Sequence, residues 1–550
     1  MQILKLQTAN AEQLVYDNGL LILTVLGGVK LEGLDRMRVT LKLELPDSPR
    51  PPLRHNLDLY NDNQLEKLIR KAAEKLEIGT SVIAASLSEL TGQLETYRLQ
   101  QLKNQQAEQY TKKQLTAEEH EAAETFLQTS NLLQRTNELI GRSGVVGEEL
   151  NRLIMFLVFT SRKREQPLHV VSLGSSGTGK THLQEKVGQL IPEEDKIEIT
   201  TLSENAFYYF GQRELKNRLV LIEDLDGAEN VLYPMRELMS KRKISKTIAH
   251  KNTKGETKTI HLIVEGPVSV AGCTTRESIY EDNANRSFLL YLDESSAQDE
   301  KVMQYQRLHS AGKIDTQKEK EVQELLKNCQ RILAPVKVVN PYAEQLKIPL
   351  EVFKPRRSNA HYLAFIEVVT FYHQYQRRWT DENTGEILYE PGVSKAPPSG
   401  GWGVIETTLE DIAEANQLLK EILLRKSDEL SGACRNYFEE LKTYLQTEKK
   451  QTFSSREIRS RFRLPGTTFR RYQNALLSCG YIRVKSGKQS SGFLYEVASF
   501  EEYEKLRNNI KNILDEVLHN LQQATPPVVS YMENGALKAQ KTNKKKVVNQ

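Results

Sequence analysis

The chain has 550 residues, 39% of them hydrophobic and 27% charged, with a formal net charge of +4. This ordinary globular balance leaves room for roughly three or four domains and excludes any argument for nucleic-acid binding from total charge. No apolar run reaches the length of a membrane span, Met1-Gln2-Ile3-Leu4-Lys5 lacks a signal-peptide core, and Cys273, Cys329, Cys434 and Cys479 form no Cys-x-x-Cys pair. A zinc ribbon and a disulfide scaffold are thereby excluded, and a reducing cytoplasm is the expected compartment.

In chain order, residues 11–45 read as a small β unit. Gln13 to Tyr16, Leu20 to Leu26 and Met37 to Leu45 are strand-like, and Pro46, Pro49, Pro51 and Pro52 end the unit. Helical periodicity follows from Asn63 to Leu76 and again from Thr80. The Gln/Glu/Lys/Leu-rich stretch from Leu87 to Leu139 has an irregular heptad and reads as a solvated linker helix, with a coiled-coil arm as the alternative.

The chain's chemistry begins at Val170. The buried run Val170-Val171-Ser172-Leu173 feeds Gly174-Ser175-Ser176-Gly177-Thr178-Gly179-Lys180-Thr181, and a helix follows with Leu183, Val187 and Leu190 on one face. This is a full Walker A pattern. Its glycines let backbone N–H groups converge on a phosphate, and the helix N-terminus adds partial positive charge. Lys180 reaches the β- and γ-phosphates in such a loop, and the Thr181 hydroxyl completes a Mg²⁺ shell. Downstream, Arg218 to Asp224 is a β-branched strand ending in acids, a Walker B pattern. Glu223 is assigned to the metal and Asp224 to polarising the attacking water, with Asp224 and Asp226 sharing those jobs as the alternative. Two further strand-like runs, Ile244 to His250 and Thr257 to Val264, flank a turn-forming tip, so a hairpin with Lys251, Lys254 and Lys258 around it is expected. The strand Val268 to Thr275 follows and ends in polar residues, before Asn285-Arg286-Ser287-Phe288 leads into another strand.

Walker A, Walker B, a polar-ended strand and a downstream arginine, in this order, resemble a AAA+ ATPase. The resemblance implies a parallel sheet with flanking helices. It makes Thr274 or Thr275 the sensor-1 residue, Arg286 an arginine finger reaching a neighbour's γ-phosphate, and Arg356 or Arg357 a candidate sensor-2 arginine. The hairpin before the sensor-1 strand resembles the pre-sensor-1 insertion clade that includes the minichromosome-maintenance helicases, where it points into a ring's pore and touches DNA. Asn340-Pro341-Tyr342-Ala343, His361 to Phe365, Leu424 to Leu430 and His55 to Tyr60 are similar to the helicase half of phage and mobile-element primase–helicases. Those proteins often begin with zinc-binding and Toprim modules. This chain starts after both, which leads to the expectation of a separate primase partner.

The last folded unit reads as a winged helix. A helix through Leu445, a second from Ser454 or Ser455, a third from Thr467 to Ser478 with Arg470 and Arg471 outward, and a hairpin carrying Lys485 follow in that order. The third helix is expected to enter a major groove.

The fold class expected is therefore an α/β AAA+ core with a small α+β N-terminal region and a C-terminal winged-helix domain. The boundaries are an N-terminal unit over 1–85, a helical linker over 86–139, the ATPase core over 140–295, and a helical lid and connector over 296–430. The winged helix takes 431–500, a helix 501–523, and a disordered basic tail 524–550. The expected function is an ATP- and Mg²⁺-dependent DNA helicase or translocase, a homo-hexamer or similar ring holding a single strand in its pore and duplex at the winged helix. The alternatives are a AAA+ helicase loader or transposition regulator, and a non-enzymatic replication-initiator scaffold.

Overall fold

The structure, a computed structural model, describes residues 6–538 apart from 11–12, 31–35, 47, 111–112, 201–205, 227–231, 252–256, 276–285, 350–351, 353, 394–402, 489–491, 524–530 and 534–535. Its contacts separate two units, Met1–Gln114 and Leu115–Gln550.

The first unit is an antiparallel meander of β1 (Leu6–Asn10), β2 (Gln13–Asp17), β3 (Ile22–Leu26), β4 (Arg38–Glu44) and β5 (Leu53–Asp58). Alternation places Leu14, Tyr16, Val39, Leu41 and Leu43 on the covered face. α1 (Asp62–Leu76) and the first turns of α2 (Thr80–Tyr110) close that face with Leu68, Ala72, Ile83, Leu87, Leu90 and Leu94. Two expectations are corrected here. The prolines at 46–52 do not end the sheet: they separate β4 from β5, which pairs along its length with β4. Nor is 86–139 a solvated linker, because its first part packs on this sheet. Its later part, α3 (Ala117–Leu127) and α4 (Leu132–Arg142), buries Ala123, Leu127, Leu132 and Leu133 in the core of the second unit. That core thus begins some twenty-five residues before the expected Ile140, at Leu115. Charged residues on the outer faces of these helices hide narrow apolar stripes that only packing reveals.

In the second unit α5 (Glu149–Thr160) is buried from Arg152 to Thr160. β6 (Val170–Leu173), α6 (Lys180–Gly188), β7 (Lys196–Ile199), β8 (Arg218–Ile222), α7 (Leu232–Lys241), β9 (Lys243–Lys251), β10 (Thr257–Glu265), β11 (Val268–Thr274) and β12 (Phe288–Tyr291) follow. Five of these strands form an all-parallel sheet in the order β12-β6-β11-β8-β7. Every residue of β6 and β11 is buried, which is why both read as unbroken apolar runs. β9 and β10 pair only with each other, in continuous register from Lys243–Glu265 to Lys251–Thr257. Gly266 N–H to Arg242 C=O, at 2.7 Å, closes the hairpin's base, and Asn217 N–H to Pro267 C=O, also 2.7 Å, ties the residue after it to the start of β8.

Beyond β12 come helices Ser296–Ser310, Thr316–Ile332, Pro355–Tyr372 and Leu409–Ser427. The region expected to be a helical lid and connector also contains a four-stranded sheet of Lys337–Val339, Gly403–Glu406, Trp379–Asp381 and Ile387–Tyr389. Strands of three or four residues are too short for alternation to register in sequence. Residues 432–497 form helix Gly432–Thr447, strand Phe453–Ser454, helices Ser455–Phe462 and Gly466–Ser478, and the hairpin Ile482–Lys488 with Gly492–Val497. Tyr437, Phe438, Phe469, Tyr472 and Leu476 make a separate small core there. Helix Glu502–Gln523 then packs on Leu409–Ser427. In the tail expected to be disordered, Tyr531–Glu533 and Ala536–Lys538 pair antiparallel. The Asn534-Gly535 dipeptide between them is a hairpin signal that a basic, polar composition masks.

Candidate nucleotide site

The parallel register puts the C-terminal ends of β6, β8 and β11 side by side, and the loops after them converge. Gly177 and Gly179 have φ of +86° and +89°, a backbone region that side chains strain to enter, although a Cβ at either would meet nothing. Lys180 is folded beneath the loop, 7% exposed, with Nζ donating to the carbonyls of Gly174 at 2.8 Å and Ser175 at 2.5 Å. Thr178 Oγ1 donates to Ser175 C=O at 3.0 Å. The loop is thus wrapped around its own lysine with glycines at the mouth.

The acids arrive from β8. Glu223 N–H bonds Ile199 C=O at 3.1 Å, and Leu225 N–H bonds Cys273 C=O at 2.9 Å, so both neighbouring strands grip the loop. Ser176, Lys180, Thr181, Glu223, Asp224 and Thr274 meet in one cleft of about 390 Å³. Asp226 is absent from its lining. Its Oδ1 accepts from the Thr274 hydroxyl, while Oδ2 accepts from Thr275 N–H at 3.0 Å and Thr275 Oγ1 at 2.5 Å. The Asp226 carboxylate therefore holds the end of β11, leaving Glu223 and Asp224 as the acids that face the cleft. Thr274, buried at 1% exposure, spends its hydroxyl proton on that tie.

Several supporting residues carry no local signal in the sequence. Gln184, one turn into α6 after Lys180, donates to Ile222 C=O at 3.0 Å and accepts from Cys273 Sγ at 3.5 Å, tying α6, β8 and β11 beneath the cleft. Burial pushes the Cys273 thiol up to about 12, only partly offset by its bond to the Thr181 hydroxyl, so it stays protonated and unreactive. On the other side of the loop a second cavity, about 550 Å³, shares Gly177, Gly179 and His182 with the first. Val145, Val146, Leu183, Leu292 and Val302 give it an apolar wall, with Tyr305 and Gln298 at its edge. Buried Arg152 shapes that wall by donating to the carbonyls of Val145 and Gly147, each at 3.0 Å, and Gln298 Nε2 donates to Val146 C=O at 3.0 Å. Glu294, just after β12, accepts the Ser175 N–H at 3.1 Å and braces the loop from outside. The donor set suits a magnesium nucleotide: a glycine cradle with a lysine under it, a threonine hydroxyl and acids opposite, and an apolar chamber for a base.

Residues 116–335 match the family described as the MTBMA_p00010 P-loop domain. Over this stretch the core is similar to a P-loop domain. No curated protein matches the chain. Among solved structures, a full-length MCM homologue from Methanopyrus kandleri aligns over 76% of this chain and 75% of its own, at 10% identity and a TM-score of 0.35. A structure described as "SCCmec type IV Cch - active helicase" aligns over 92% and 99%, at 10% identity and a TM-score of 0.24. Both likenesses are too remote to fix the fold of this chain.

Of the remaining sequence-derived residues, those that the structure describes line neither cavity. Arg286 precedes β12, and Phe288 pairs with Val170 at the start of β6, whereas the loop follows Leu173 at its end. Four strand residues, about 13 Å, separate the two edges of the sheet, so Arg286 faces away from its own loop. Its Nε donates to Ser240 Oγ at 2.7 Å. Arg356 and Arg357, exposed at the start of helix Pro355–Tyr372, line neither cavity. Lys251 pairs with Thr257 and Lys258 with His250, while Lys254 and the side chains of Lys251 and Lys258 lie outside the described residues. Arg470 and Arg471 are exposed on helix Gly466–Ser478, the latter's guanidinium 5.3 Å from the Tyr472 ring centre. Lys485 pairs with Glu496 at 3.2 Å. Among the described residues no helix is long and apolar enough to cross a membrane.

Proposed function

We propose that this chain is an ATP-dependent DNA helicase or translocase of the AAA+ kind, working as a cytoplasmic ring in the replication of a mobile element or phage. The observation that carries the reading is β11. It is seven buried residues long, its last residue Thr274 is tied to the Walker B loop, and its first follows directly on the hairpin β9–β10. A rigid buried strand thus joins the nucleotide cleft at one edge of the sheet to the hairpin at the other.

In this reading Lys180 and the loop amides would hold the phosphates, and Thr181 and Glu223 would hold a Mg²⁺ supplying positive countercharge there. Asp224 orients the attacking water. Asp226 and Thr274 keep those acids in register. The base lies against Val145, Val146 and Leu292. Arg286, on the opposite edge, serves the loop of the next subunit, which is the physical reason for a ring. The hairpin lysines, Lys251, Lys254 and Lys258, follow one strand's phosphates. The unit over 432–497 is a winged helix that offers Arg470, Arg471 and Lys485 to duplex.

ATP turnover measured with and without DNA, beside strand displacement on a forked duplex, tests this. DNA-stimulated turnover with displacement, both lost in Lys180→Ala, is the expected result. Turnover without displacement, on forks of either polarity, would overturn the helicase reading.

A further inference from the structure

Between β7 and β8 the chain makes a short excursion. Ala206–Tyr209 is a single 3-10 turn packed against α7, β9 and β10. Phe207 anchors it, fully buried among Leu215, Leu238 and Val264, with its ring 6.1 Å from that of Phe210. The neighbouring Tyr209 is 68% exposed, and Tyr233 in the first turn of α7 is 60% exposed. Tyr208 lies partly covered, with Lys246 Nζ of β9 5.3 Å from its ring centre. Its hydroxyl is pushed up by burial and then by the nearby Tyr233 and Glu237, in keeping with the packing of the turn against α7. A turn built only to close the core would carry small polar residues at its exposed positions. This one holds large rings in water on a base made stiff by two phenylalanines. The stretch 232–265 is also basic in composition, with eight Lys or Arg against three Glu.

We propose that Tyr208, Tyr209 and Tyr233, with Lys246, form a stacking platform for the bases of a single DNA strand alongside the hairpin. This rests on the DNA reading above and adds base contacts to the phosphate contacts of the hairpin. Ring faces are indifferent to base identity, so the platform takes any sequence, and a nearby ammonium strengthens attraction to both ring and phosphate. Only an unpaired strand exposes base faces, so duplex is excluded. The hairpin gives the strand its electrostatic track, and the tyrosines hold its bases on a rigid part of the core.

The test compares full-length wild type with Tyr209→Ala/Tyr233→Ala by fluorescence anisotropy. The probes are labelled oligo-dT and an abasic oligonucleotide of the same length, each titrated at several salt concentrations. Oligo-dT affinity should fall about tenfold in the double variant. Abasic affinity and the salt slope of both probes should stay put, and Tyr209→Trp/Tyr233→Trp should retain oligo-dT binding. An equal loss on both probes, or no loss on oligo-dT, overturns the platform. So does a fall in oligomeric mass by light scattering with the oligo-dT to abasic ratio unchanged, which would make the tyrosines a contact between copies of the chain. Failure of wild type to bind oligo-dT at all overturns the DNA reading itself, a different outcome from a variant that binds like wild type.

Discussion

Asp226→Ala separates a residue that holds the cleft from one that does the chemistry in it. Among the described residues the carboxylate accepts one hydrogen bond from the buried Thr274 hydroxyl and two from the exposed Thr275. Water replaces the Thr275 contacts at little cost, so the Thr274 bond decides the effect. A hydrogen bond to a charged group contributes about 1.5–3 kcal/mol, and a stranded buried hydroxyl costs a similar amount. Leu225 N–H remains bonded to Cys273 C=O, so the loop backbone stays in place while the acids lose their register. If that energy comes from alignment in the transition state, turnover falls about 10- to 150-fold. The phosphate loop and Lys180 are untouched, so nucleotide affinity and its Mg²⁺ dependence should change less than about threefold. Asp226→Asn keeps an acceptor for Thr274 but sets an amide against Thr275 N–H, and should fall between alanine and wild type. The measurement is steady-state turnover beside equilibrium binding of a fluorescent ATP analogue across Mg²⁺ concentrations. Loss of Mg²⁺-dependent binding in Asp226→Ala would refute the reasoning, because the carboxylate would then be a metal ligand.

Other consequences follow from the same geometry. Glu294→Ala should raise the KM for ATP about two- to tenfold by releasing one hydrogen bond to the loop, while Glu294→Gln, still an acceptor, should resemble wild type; equal effects of both would make charge, not bracing, the cause. Arg286→Ala and Lys180→Ala should each lose turnover, and mixing the two proteins should restore part of it, because mixed rings contain intact interfaces; no recovery at any ratio would sink the shared site. Burial pushes Lys426, beside His361 and under the Phe288 ring, down to about 8. Between about pH 8 and the ordinary value near 10.4 the unfolded chain holds a proton the folded one lacks, so this group makes stability rise with pH in that window. Lys426→Met should raise the Tm at pH 7 and lose that part of the slope, and a Tm difference from wild type independent of pH would contradict it.

Contiguous features are legible in the amino-acid sequence alone. A buried run, a glycine loop and an amphipathic helix lie next to one another in the chain, so the strand β6, the loop 174–179 and the helix α6 can be read in place. The acids closing β8 and the two strands of the hairpin are legible for the same reason, since each is a local pattern of period two or an unbroken apolar run. Everything that depends on which strands are neighbours is not. Three acids stand within four residues, and only the adjacency of β8 and β11 shows that Asp226 is spent on Thr274 while Glu223 and Asp224 face the cleft. The apolar chamber draws Val145 and Val146 from before α5 and Leu292 and Tyr305 from after β12, a separation that no local pattern encodes. Arg286 can be named from its order in the chain, but its position at the far edge of the sheet comes from the register of β12 on β6. Local sequence sets backbone conformation and burial period, because those depend on residues a few positions apart. Which side chains share a cleft is decided by strand order and register, which arise when distant apolar faces are buried against one another.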